Sequence, residues 1–97
     1  MERYIILGNF TRDGLKKIEK FPNKDNAARN LIEKSGGKLQ IYYTMGLYDF
    51  VALVDMPDEK SMIKLLFRMG KVGDVKTNTL KAYTESEFHK LLEQLYD

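Results

Sequence analysis

Two segments of this chain are apolar at both parities of a strand, and no other feature limits its fold as much. In Tyr4-Ile5-Ile6-Leu7 and in Phe50-Val51-Ala52-Leu53-Val54, β-branched and aromatic residues follow one another with no polar residue between them. Neighbouring side chains of a strand point to opposite faces, so a segment of this kind needs apolar cover on both sides. Phe50, Ala52 and Val54 share one face, and Val51 and Leu53 share the other. Both segments therefore read as strands that are covered on both faces.

The remaining segments supply the other elements. Thr11 is placed to N-cap a short helix carrying Leu15 and Ile18. Pro22 interrupts that pattern after Phe21. A second helical stretch follows, with Ala27, Ala28, Leu31 and Ile32 on one face, and Gly36-Gly37 ends it. From Lys38 to Thr44 the chain alternates: Leu39, Ile41 and Tyr43 point one way, and Gln40, Tyr42 and Thr44 the other. A break at Met45-Gly46-Leu47 and a short connection to the apolar segment beyond it predict an antiparallel hairpin. Pro57 stops the second strand of that hairpin, and Asp58 is placed to cap a helix that buries Met62, Leu65, Leu66 and Met69. Gly70 and Gly73 are expected to bracket the loop beyond. Val75 to Tyr83 reads as a fourth strand, with Thr77, Thr79 and Lys81 on one face and Asn78, Leu80 and Ala82 on the other. Thr84-x-x-Glu87 forms a capping box, flanked by Tyr83 and Phe88 as a hydrophobic staple. The last helix is expected to bury Leu91, Leu92 and Leu95.

The order is strand, helix, strand, strand, helix, strand and an extra C-terminal helix. It specifies an α+β, ferredoxin-like βαββαβ domain with a four-stranded antiparallel sheet. The 97 residues fit a single domain spanning 1–97. Helices cover one face of such a sheet and leave the other open in a lone copy. A second copy packed face to face, as a homodimer, is the expected cover, with the C-terminal helix as the alternative.

Charge and composition narrow the function classes. Sixteen basic residues against fourteen acidic ones give a net charge of +2. The two signs are interspersed, so nucleic acid is not an expected partner. The chain has no cysteine, which excludes disulfides, thiolate catalysis and cysteine-ligated metal. His89 is the only histidine and is expected on the solvent side of the last helix, so no metal site and no cofactor are expected. Gly70-Lys71-Val72-Gly73 follows a helix and not a strand, and so lacks the context of a phosphate loop. The first apolar run, Tyr4 to Leu7, is too short for a signal peptide or a membrane span, and a cytoplasmic location is the expectation.

Asp49 beside Tyr48, at the mouth of the hairpin, is the best polar feature. A carboxylate there can take a proton or hold an ammonium group, and the phenol can orient a polar ligand. The same residues also suit turn chemistry, with Gly46 at an unusual backbone angle and Asp49 accepting backbone N–H groups. Tyr42, Thr44, Thr77, Thr79 and Lys81, with Asn9 at the end of the first strand, are expected on the face that meets the partner copy. There they would line a ligand cavity between the sheets or an ordinary wet interface. Tyr48, Asp49, Tyr42 and Asn9 are the candidate ligand-binding residues, and no catalytic residue is assigned.

The stretch Gly46-Leu47-Tyr48-Asp49, followed by an apolar strand, resembles the G-x-Y-D signature of the GYD-domain family. The opening strand Tyr4 to Phe10 with Thr11 and Gly14, the Gly36-Gly37-Lys38 lead into the second strand, and Leu80-x-Ala82-Tyr83-Thr84 extend the resemblance over nearly the whole chain. It implies a ferredoxin-like fold of the dimeric α/β-barrel group, and no defined activity. The chain is more distantly similar to the effector-binding domains of feast/famine transcription regulators, which hold small molecules between subunits. It resembles them without a DNA-binding helix-turn-helix in front of the domain. Three functions follow: a small-molecule-binding or sensor-type module, a cofactor-independent enzyme of the dimeric barrel type, or a structural, protein-interacting subunit. Whether the chain is an enzyme stays open at this level.

Overall fold

The computed structural model describes residues 1–96. Strand β1 (Glu2–Phe10) leads into a short helix, α1 (Arg12–Lys16), then a single 3-10 turn at Ile18–Lys20 and helix α2 (Phe21–Lys34). Strands β2 (Lys38–Tyr43) and β3 (Phe50–Met56) form the hairpin; α3 (Glu59–Val72), β4 (Val75–Ala82) and α4 (Glu85–Tyr96) complete the chain. The sheet is antiparallel in the order β2-β3-β1-β4. This is the ferredoxin-like arrangement, and its two inner strands are the two segments that are apolar at both parities.

Strand register assigns every side chain to a face. Leu39, Val54, Tyr4 and Lys81 form one row on the helix-covered face; Ile41, Ala52, Ile6 and Thr79 form the next. Ile32 of α2 and Met62 and Leu65 of α3 close over these rows and complete the core. Ile6, Ile32, Val54 and Met62 are almost wholly buried, and each full burial of that size contributes about 1.5–3 kcal/mol. The opposite face carries Ile5, Leu7, Val51, Leu53 and Leu80 at its centre, and among the described residues no helix covers it.

Helix ends follow the sequence signals, with two shifts. Thr11 caps α1 by accepting the Gly14 N–H, and Asp58 caps α3 by accepting the Ser61 N–H at 2.7 Å. Pro22 does not interrupt the chain; it sits in the first turn of α2, where its missing N–H costs no helical bond. Gly70 lies inside α3 and not in a loop; the helix runs on to Val72 and ends at Gly73, which takes the left-handed conformation at φ 75°. Leu15 and Ile18 are exposed, and the residue that α1 buries is Gly14.

The last helix departs furthest from expectation. The capping box forms: the Thr84 N–H donates to Glu87, and Thr84 Oγ1 accepts the Glu87 N–H. Yet α4 buries no residue, and Leu91, Leu92 and Leu95 stay exposed. It neither joins the core nor folds over the open sheet face. The molecule is correspondingly long, 54 × 31 × 19 Å, with a radius of gyration of 15.1 Å, against about 12.5 Å for a compact chain of this length. Among the described residues no helix is long and apolar enough to cross a membrane.

Candidate functional site

The hairpin connecting β2 and β3 is built around Gly46 and Asp49. Gly46 has φ 141°, a region that side-chain-bearing residues rarely adopt. The Thr44 N–H donates to the Asp49 carbonyl at 2.8 Å, and the Thr44 hydroxyl donates to the Tyr48 carbonyl. These bonds close the loop on itself. A second set fastens it to β1: the Asp49 N–H reaches Gly8 O at 2.8 Å and Asn9 Oδ1 at 3.1 Å, and Asp49 Oδ2 accepts the Phe10 N–H at 2.9 Å. The carboxylate thus serves a neighbouring strand, and not its own turn as the sequence suggests.

Of the four candidate ligand residues, the structure brings Asn9 and Asp49 into direct contact. Tyr48 flanks them, half-buried. Tyr42 lies on the open face, in a row with Val51 and Leu7, and is exposed. Thr77, Thr79 and Lys81 do not join this group. Register places them opposite Gly8, Ile6 and Tyr4 on the helix-covered face. Threonine and the stem of lysine tolerate a half-covered surface, so the polar side of β4 faces the helices while Leu80 and Ala82 face outward. Lys81 spans two aromatic rings, 5.0 Å from Tyr4 and 5.3 Å from Tyr83, and bonds Glu2 at 2.6 Å. The Tyr4 hydroxyl beneath has no hydrogen-bond partner among the described residues, and burial pushes its pKa up.

The open face has the layout of an interface. Its apolar centre is bounded at one end by the Arg3–Asp55 pair, with Arg3 Nε 2.8 Å from Asp55 Oδ1, and at the other by Asn9, Asp49 and Tyr42. Arg3 holds the Asp55 carboxyl below the usual carboxylate range. Apolar centres with polar rims recur at protein–protein contacts.

Two features escaped the sequence reading. A groove of about 430 Å³ opens between α2 and α3 over Ile6, Ala52 and Val54, with Tyr43, Arg68 and Asp74 at its margin. Its acids are already engaged: the Tyr43 hydroxyl donates to Asp25, and Asp74 holds Lys24 and Lys17. Burial and the Asp25 carboxylate raise the Tyr43 pKa. The second feature is Asp74, which is itself buried; the ammonium groups of Lys24 and then Lys17 hold its carboxyl below the ordinary range. Its backbone is used as well, since Asp74 O accepts the Thr11 N–H and lies where a Cβ on Gly14 would sit, 2.0 Å away. A signal was present: Asp74 is the only acid between Glu59 and Glu85. Among the described residues there is no group of three or more His, Cys, Asp or Glu that could hold a metal ion.

The family model for the GYD domain matches residues 4–92. The chain belongs to the GYD-domain family. A GYD relative in Thermus thermophilus, named a glutamine synthetase and cystathionine beta-lyase binding protein, is 30% identical over 84 residues, covering 84% of this chain and 88% of that protein. Among solved structures, the crystal structure of TTHA0845, also from Thermus thermophilus, shares the fold. Its TM-score is 0.54 at 22% identity, with 87% of this chain and 95% of that one covered. The GYD signature itself, Gly46-Leu47-Tyr48-Asp49, is the segment that closes the hairpin and ties it to β1.

Proposed function

We propose that this GYD protein is a protein-binding module that acts as a homodimer through its open sheet face, with metabolic enzymes as its partners. The observation that carries the reading is the amount of organised apolar surface left uncovered, on the sheet face and along α4. Surface of that kind marks interaction sites. The polar residues fit the same reading. Asp49, on which a cofactor-independent enzyme would rest, gives Oδ2 to a backbone bond, and Asn9 accepts another. The name of the Thermus relative supports enzyme partners, glutamine synthetase and cystathionine beta-lyase being the first to test. A cytoplasmic location is part of this proposal. The test is sedimentation velocity of the purified chain mixed with each of those enzymes from the same organism. A faster-sedimenting complex supports the proposal; unchanged profiles with both enzymes at micromolar concentration count against it.

A second reading is a small-molecule or sensor-type module with Tyr48, Asp49, Tyr42 and Asn9 at its site. It is favoured by one observation: Asp49 Oδ1 makes no hydrogen bond among the described residues, although Oδ2 does. A ligand held there raises the melting temperature, and Asp49→Asn lowers that shift. A metabolite screen with no shift removes this reading.

A further inference from the structure

We infer that the groove between α2 and α3 is a binding site for a fatty carboxylate, its hydrocarbon chain lying over the sheet and its anionic head on Arg68. The site is on the helix-covered side of the sheet and includes none of Asn9, Tyr42, Tyr48 and Asp49. It therefore goes beyond both readings above. The groove follows from the side chains that the two helices bring together. Ile32 of α2 and Met62 and Leu65 of α3 close the core beneath them. One turn earlier on α2 stands Ala28, and one turn later on α3 stands Met69; both line the groove. Alanine has too little side chain to bridge to Met69, so the space between the helices stays open. Leu39, Ile41 and Met69 along it are only partly buried. Protein interiors close such space to the density of organic crystals. The volume of about 430 Å³ falls instead among small-molecule sites, which run from about 300 to 1,000 Å³.

Charge decides the occupant. The side chains of the floor, Ile6, Ala52 and Val54, offer no donor or acceptor, and their backbone groups belong to paired strands. A polar group on the body of a ligand would lose its water there and gain no bond. The body is therefore hydrocarbon. At the margin both carboxylates are engaged, Asp25 by the Tyr43 hydroxyl and Asp74 by Lys24 and Lys17. Arg68 stands at the same margin, exposed, and makes no ion pair among the described residues. One cation without a counter-ion, beside an apolar trough, fits a single anionic head. A guanidinium holds a carboxylate through two parallel N–H bonds. A cationic amphiphile would set its head against Arg68 and find both acids already taken. The carboxylate stays at the rim, where its charge is still hydrated, and only the chain leaves water.

The test is an amide-shift titration of isotope-labelled protein with octanoate, and in parallel with the neutral octanol. Octanoate is expected to move amides of α2, α3 and β3 that border the groove. It should bind more tightly than octanol by about 10-fold or more, the share of a charge-assisted hydrogen bond. Arg68→Gln, at an exposed position, should bring octanoate down to the affinity of octanol. Ala28→Phe puts a ring into the groove and should abolish binding of both probes, with a circular dichroism spectrum like that of the parent. Arg68→Gln leaves the groove itself untouched, so it decides the question even where Ala28→Phe disturbs the fold. An unchanged octanoate affinity in Arg68→Gln overturns the inference, and so does a titration that moves no amide at millimolar octanoate. Shifts confined to α4 or to the open sheet face also overturn it, because those exposed apolar surfaces would then be holding the probe as a mere amphiphile.

Discussion

The Phe10 N–H donates to Asp49 Oδ2 across 2.9 Å, and this bond fastens the family's signature hairpin to the far end of β1. Its loss leaves a part-buried backbone donor unpaired. Asp49→Ala is therefore expected to lower stability by about 1–3 kcal/mol, read from urea unfolding. Asp49→Asn retains an acceptor and should cost less than half as much. Equal losses for the two variants would mean that the charge, and not the acceptor, is what the fold uses.

Asp74 is buried between Lys17 and Lys24, which hold its carboxyl below the ordinary range. A carboxyl depressed in the folded state adds stability above its unfolded pKa, about 3.9, and loses that contribution as the pH falls through the lower folded value. The melting temperature of the parent should thus fall below about pH 4 more steeply than that of Asp74→Asn. At pH 7 the variant should be weaker by about 2 kcal/mol, a moderate figure because both lysines are partly solvated. Parallel melting curves for the two proteins over the acid range would refute this assignment.

Two glycines separate close approach from mere flexibility. A Cβ on Gly14 would lie 2.0 Å from the Asp74 carbonyl oxygen, a backbone atom that cannot yield cheaply, whereas a Cβ on Gly70 meets nothing within 4 Å. Gly14→Ala is expected to cost about 3 kcal/mol or more. Gly70→Ala, inside α3, should gain up to about 0.5–1 kcal/mol by helix propensity. Thermal unfolding of both variants checks the opposite signs.

The sequence was most informative where a local rule and the global fold agree. The double-sided apolar segments read as strands, and the structure makes them β1 and β3, the two inner strands of the sheet. Thr84 and Glu87 had to cap a helix, and they do. Face assignment in β4 was harder, because Thr77, Thr79 and Lys81 are amphipathic and suit either side. Only pairing with Ile6 and Tyr4 decides it. Asp74 was hidden because its lysines come from 57 and 50 positions earlier in the chain. Leu91, Leu92 and Leu95 were expected to be buried and are not, because helical periodicity marks an apolar stripe and does not say what the stripe packs against. Asp49 was legible at the mouth of a hairpin and Asn9 at the end of the first strand; their mutual bond needed the β1–β3 register.

In the proposed function the chain works through surfaces that a single copy cannot cover. Its most direct test is the mass of the purified protein by light scattering at micromolar concentration and neutral pH. The expected mass is that of a homodimer, twice the 11.3 kDa of one chain. A mass of one chain, with the sheet intact by circular dichroism, would contradict it.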